Sequence, residues 1–163
     1  ENSAEELSAE AVTGMSLFDY VADATTRHLY DLLHRRVLQS RRTVTLPYRC
    51  DSPTLRRFME MQLSAEAGML VYRNRVVRLE ERAPIELWDP ELERVGQAVR
   101  SCGWCKKLPL PDGRWLEVED AIAELGLLEA PSLPPITHGI CPMCERLVRA
   151  DIPADFAPGP PAQ

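Results

Sequence analysis

Four cysteines stand in two matching pairs, Cys102 and Cys105 in SCGWCKK and Cys141 and Cys144 in HGICPMCERL. Two thiolates three positions apart can close on one ion from a tight turn, and two such hooks make one tetrahedral site. The 35 residues between Cys105 and Cys141 exceed the roughly 15–20 of the common ribbon spacing. A strand and a helix must therefore bring the hooks together, and PDGRWLEVEDAIAELG supplies them. The expected ligand set is Cys102, Cys105, Cys141 and Cys144, with structural zinc as the cofactor. His138 is the alternative: it replaces one cysteine as a ligand, or orients a thiolate from behind it. Reduced thiols without metal are the remaining reading of this region.

Redox chemistry is the rival from another class. A thioredoxin-like pair follows a core strand and opens a helix, whereas CGWC runs into KKLPLP. CPMCERLVR does suit a helix start, whose N-terminus would lower a thiol pKa. An iron–sulfur cluster fits the hooks equally, but nothing further in the sequence selects iron. Other reactive side chains have plainer readings. His28 and His34 lie six apart on one helix and face different ways, as surface histidines do. Cys50 reads as a small buried hydrophobe, and Met59 and Met61 as sheet core. Glu117, Glu119 and Asp120 suit the first turn of a helix. Trp104 and Trp115 are expected to pack over the metal module. No constellation for hydrolysis and no phosphate-cradling glycine loop appears, so the expectation is a binding protein and not an enzyme.

The elements that must hold these residues follow from periodicity. Ser16 and then Asp23 are N-cap residues. Leu29, Leu33 and Val37 recur at helical spacing, with Tyr30, Leu32 and Leu38 beside them, so a packed helix ends near Ser40. The period then falls to two: Val44, Leu46, Tyr48 and Cys50 alternate with Thr43, Thr45, Pro47 and Arg49, as in a strand with one buried face. DSPT and AEAG are turns, separating LRRFMEMQLS and MLVYRNRVVRLEER as two further strands of an antiparallel meander. Arg57, Met59, Met61 and Leu63 share one face of the middle strand. Asp89 and Pro90 signal a helical connector over 84–100. A short strand, a Pro-Asp-Gly turn and a helix from about Glu117 to Leu125 follow, and the Pro-rich end, 151–163, reads as a disordered tail.

Bulk composition excludes some classes. At 163 residues with 45% apolar and 27% charged side chains, the chain is an ordinary globular one with no apolar run long enough for a membrane span. With no export signal, a cytoplasmic location is expected, and in that reducing compartment paired cysteines favour metal or thiol chemistry over a disulfide framework. The net charge of −6 hides an asymmetry: residues 1–31 carry seven acids and one arginine, residues 35–82 eleven arginines and five acids. Nucleic-acid binding is one reading of that basic block. A solvated sheet face, or pairing with the acidic N-terminal stretch, is the favoured one.

GMSLFDYVAD, RHLYDLLHRRV, VTLPYRCD, RRFMEMQLS and LVYRNRVVRL together resemble the helical part and last three strands of a PAS-type sensor domain. A complete PAS domain begins with two more strands, so the resemblance implies strands ahead of Glu1 or a reduced sheet. SCGWCKK, DGRWLEVEDAIAEL and THGICPMCERL are similar to a small cysteine module found at the end of bacterial signalling proteins, of the form C-x-W-C-K, D-G-x-W, H-G-I-C-P-x-C. The two resemblances imply an α+β architecture: a PAS-like sensor or dimerisation domain over 1–83, the connector, and a zinc-binding module over 101–150. They also imply a role in signal transduction, with a small-molecule ligand, a second copy of the chain or another signalling protein as partner. The hooks and the connector lead to the expectation that losing a cysteine unravels 101–150 and leaves the first half folded.

Overall fold

The computed structural model describes residues 9–127 and 132–150; residues 1–8 and the expected tail at 151–163 lie outside them. A short helix, α1 (Ala9–Val12), leads to a 3-10 turn over Leu17–Asp19. Ser16 caps that turn reciprocally: its hydroxyl accepts from the Phe18 amide, and the Asp19 carboxylate accepts from the Ser16 amide. Asp23 caps α2 (Ala24–Ser40), accepting from the Thr26 amide at 2.8 Å. Helix α2 ends where Arg41 turns left-handed, its N–H reaching back to the Val37 carbonyl.

After α2 the chain makes a meander of β1 (Val44–Arg49), β2 (Leu55–Glu66) and β3 (Met69–Glu81), antiparallel in that order. Ala67 and Gly68, both at positive φ, form the two-residue turn between β2 and β3, a geometry that matches strand twist. The register sets Val44 opposite Leu63 and Leu46 opposite Met61. These four are buried in one cluster with Leu29, Leu33 and Val37 of α2. Charged pairs such as Glu60 with Arg75, at 2.8 Å, occupy other cross-strand positions. The ladder shifts register between Phe58 and Met59.

Two expectations fail in this half, and for the basic block the solvated sheet face holds, with Arg73, Arg75 and Arg78 exposed, while pairing with the N-terminal stretch is slight. Cys50 is exposed, and the preceding Arg49 is buried instead. Strand β1 ends at Arg49, so the two-residue alternation stops one position early; Asp51 and Glu117 neutralise the buried guanidinium. His34 is half-buried, its Nε2 hydrogen-bonded to the Tyr72 hydroxyl between Phe18 and Tyr30, and burial lowers its pKa. The basic block pairs mainly within itself and with the next region: Arg73 with Glu66, Arg78 with Glu80, and Arg56 with Glu119. Asp31 and Asp23 are the described acids of the N-terminal stretch that form ion pairs, with Arg35 and Arg100.

The expected helix from Asp89 toward Ser101 is absent. A single 3-10 turn over Glu86–Trp88 precedes it, and Gly96 at φ 94 breaks any continuation. The Arg94 guanidinium donates to the carbonyls of Leu87, Asp89 and Pro134, holding an irregular chain in place. Beyond it, β4 (Val99–Cys102) pairs in parallel with β7 (Ile136–Gly139). Between them lie the two-residue strands β5 (Leu108–Pro109) and β6 (Trp115–Leu116) and helix α3 (Val118–Glu124). Helix α4 (Pro142–Ala150) follows β7. Ile85 and Leu87 join Leu108, Val118, Ala121 and Ile122 in a small second core. The whole is a mixed α+β fold with an antiparallel sheet and a cysteine cluster toward its C-terminal end.

The two regions are tightly joined. One apolar cluster contains Leu29, Leu33, Leu46 and Leu63 together with Trp104, Ile140, Val148 and three of the cysteines. The Arg49 amide donates to the Trp104 carbonyl at 2.6 Å. Asp51, 1% exposed, lies between the side chains of Arg49 and Arg82, which reach on to Glu117 and Glu119 at the start of α3. Arg100 passes across Gly139 to reach Asp23; a Cβ at Gly139 would fall 2.1 Å from its Nε and would displace the exposed guanidinium from this path.

Candidate metal centre

Each hook is formed by a different local device. Cys102 ends β4, and the chain turns so that the Lys106 amide donates to the Cys102 carbonyl and the Cys102 amide to the Lys107 carbonyl. Lys106 takes a left-handed φ of 64 to close this knuckle, and Gly103 donates to the Gly139 carbonyl at 2.8 Å, tying the first hook to β7. The second hook is a helix start: Pro142, which has no amide hydrogen to leave unpaired, is the first residue of α4, and Cys144 lies in its first turn. The parallel β4–β7 ladder sets Cys102 opposite Gly139, two residues before Cys141.

The ligand atoms of Cys102, Cys105, Cys141 and Cys144 all lie within 4.8 Å of one another. The Cys105 and Cys141 sulfurs are 3.7 Å apart; a tetrahedron with metal–sulfur bonds of about 2.3 Å has edges of about 3.8 Å. Backbone amides are aimed at the sulfurs, Cys141 N–H at Cys102 Sγ (3.3 Å) and Cys144 N–H at Cys141 Sγ (3.4 Å). Cys102, Cys141 and Cys144 are buried and Cys105 half-buried, so the cluster is shielded from solvent. The four cysteines are thus positioned to hold a metal ion.

Their protonation shows what the cluster needs. Hydrogen bonds from the Cys105 and Cys144 thiols and from backbone amides hold the Cys102 thiol far below its ordinary value. Donating to that thiolate pushes Cys105 up to about 12, and Cys144 is raised for the same reason, with burial adding to it. Without a cation, one negative charge is stabilised at the expense of the others. A divalent ion removes that conflict, because it favours the thiolate at every ligand.

His138 is in a different position. It pairs with Ser101 across the β4–β7 ladder and lines a neighbouring pocket, while the converging ligand atoms are four sulfurs. Trp104 is buried against Tyr30, with ring centroids 5.4 Å apart, and Trp115 packs at the edge of the same cluster. Sequence reasoning missed the pocket, about 720 Å3, which lies between the loop before α2, the sheet and the first hook. Its one legible signal was the Trp-Cys-Lys of that hook, since the other walls come from segments far apart in sequence.

The chain matches no protein-family model, no curated protein and no solved structure. Among the described residues no helix is long and apolar enough to cross a membrane.

Proposed function

We propose that this protein is a non-enzymatic regulatory protein in which one structural zinc ion, held by Cys102, Cys105, Cys141 and Cys144, fixes a small C-terminal module against a PAS-like sensor half. The observation that carries this reading is the convergence of four shielded sulfurs, all within 4.8 Å of one another. Zinc is favoured because an all-thiolate tetrahedral set suits it and a closed set of four protein ligands is structural, with no open position for a substrate. The sensor role rests on the helix-on-meander arrangement and the adjoining pocket; the bacterial, cytoplasmic signalling setting rests on the sequence resemblance. Pairing of Arg73, Arg75 and Arg78 with carboxylates weighs against a nucleic-acid backbone as partner. Elemental analysis of protein purified without chelators should give one zinc per chain, lost in Cys102→Ser and retained in His138→Ala. Absence of metal together with a reversible Cys102–Cys105 or Cys141–Cys144 disulfide would assign the site to redox chemistry.

The partner favoured for the sensor half is a second copy of the chain. Strand β3 is an edge of its sheet and exposes Val76, Val77 and Leu79 there; such an edge pairs readily with itself about a two-fold axis. Sedimentation should show a dimer that Val77→Lys dissociates, and a monomer at every concentration would end this assignment.

A further inference from the structure

The pocket beside the metal centre has walls that specify a ligand class. Its volume, about 720 Å3, falls within the roughly 300–1,000 Å3 of small-ligand sites. Tyr30, Tyr48, Tyr72 and Trp104 line it. The tyrosine hydroxyls across the sheet are already engaged, Tyr48 donating to Asn74 Oδ1 at 3.1 Å and Tyr72 bonded to His34. What these residues offer a ligand is ring surface, which favours a flat aromatic body.

The charged groups on the wall are unevenly matched. Asp23 accepts from the Thr26 amide and hydroxyl and from Arg100, so its carboxylate is neutralised. Lys106 is half-buried, its ammonium donates to the Gly103 carbonyl at 3.3 Å, and no described carboxylate lies within ion-pair distance of it. Trp104 is only 7% exposed, and its indole Nε1 has no hydrogen-bond partner among the described residues. Asp51 and Cys102 act on the Lys106 ammonium through space, but no carboxylate contacts it, so a half-buried cation on the pocket wall has room for an anionic group of a ligand. Lys106 belongs to the Cys102–Lys107 knuckle, so the backbone that positions two sulfurs also sets this seat.

We propose that the pocket binds a planar aromatic carboxylate, its ring among Tyr30, Tyr48, Tyr72 and Trp104 and its carboxylate accepting from Lys106. The inference rests on the reading of this protein as a ligand sensor and names the ligand chemistry that reading leaves open. The recognition is non-covalent, and no bond is made or broken.

The test is calorimetric titration of the full metal-loaded chain with benzoate, 2-naphthoate and biphenyl-4-carboxylate, alongside the matching carboxamides, naphthalene-2-methylamine and decanoate. At least one aromatic carboxylate should bind more than tenfold tighter than its carboxamide. Lys106→Gln should remove that preference, compared at equal zinc loading of the two proteins, and Thr137→Trp, at an exposed rim position of β7, should weaken all binding by tenfold or more. Equal affinity for acid and amide, or a preference that survives Lys106→Gln, would overturn the proposal. Tighter, Thr137→Trp-sensitive binding of the amine or of decanoate would overturn the ligand class and leave the sensor reading standing. Absence of binding by every probe would remove both.

Discussion

The two halves of this molecule solve the same problem by different means. In the first, a 17-residue helix lays Leu29, Leu33 and Val37 on a three-stranded sheet, and long elements with one apolar face suffice. In the second, strands of two to four residues and helices of seven and nine residues build a core of their own of only six buried side chains, too little apolar area for a unit of this size to stand alone. That half relies on two supports of another kind: a sulfur cluster that can be cross-linked through an ion, and a share in its neighbour's core. Where chain length cannot supply burial, convergent ligands and borrowed surface replace it.

The comparison breaks most sharply at the cysteines. Cys102→Ser should abolish stoichiometric zinc and with it a large part of the roughly 10–16 kcal/mol that structural zinc contributes in finger peptides. Because Cys102, Cys141, Cys144 and Val148 share a cluster with Leu29 and Leu33, hydrogen exchange should show lost protection in α2 as well as in β4 and β7. Unchanged protection of α2 would mean that the halves are energetically separate. Next in size is the buried ion network. Asp51→Asn removes the charge between Arg49 and Arg82, whose side chains are 9% and 6% exposed, and breaking such a pair costs about 3–5 kcal/mol in denaturant unfolding. A loss under about 1 kcal/mol, the range of exposed pairs, would mean that water reaches the network. Leu33→Ala, at a fully buried position on α2, should cost about 2–5 kcal/mol and leave zinc content intact. A change below about 0.5 kcal/mol, typical of surface sites, would place the helix face wrongly.

The difference between the halves also decided what could be read in the sequence. Regular periodicity made α2, its cap at Asp23, the Ser16 cap of the preceding 3-10 turn and the three-strand meander legible, because each arises from neighbours in the chain. The Cys-x-x-Cys spacing was legible for the same reason. The segment from Asp89 to Val99 was not: Asp-Pro resembles a helix start, but Leu92 and Val95 remain exposed with nothing to pack on, and the long-range hydrogen bonds of Arg94 fix its course. Arg49 and Cys50 exchanged their expected environments because Glu117, 68 positions away, makes a buried guanidinium acceptable. The aromatic pocket depends on segments of α2, the sheet, the first hook and β7 that meet only in the folded chain, so no local pattern announces it.

The parallel pairing of β4 with β7 also has a consequence for the order of events during folding. Cys102 and Cys105 meet within one turn, closed by the Lys106 amide, so the first two ligands assemble in the time of a local fluctuation. Cys141 and Cys144 arrive only after the crossover through β5, β6 and α3 has folded back and its loop-closure entropy has been overcome. An ion caught early by the first hook would wait for the second, and its capture by that second pair would coincide with the docking of α4. The last step in acquiring a metal and the last step in closing the hydrophobic interior would then be a single kinetic event.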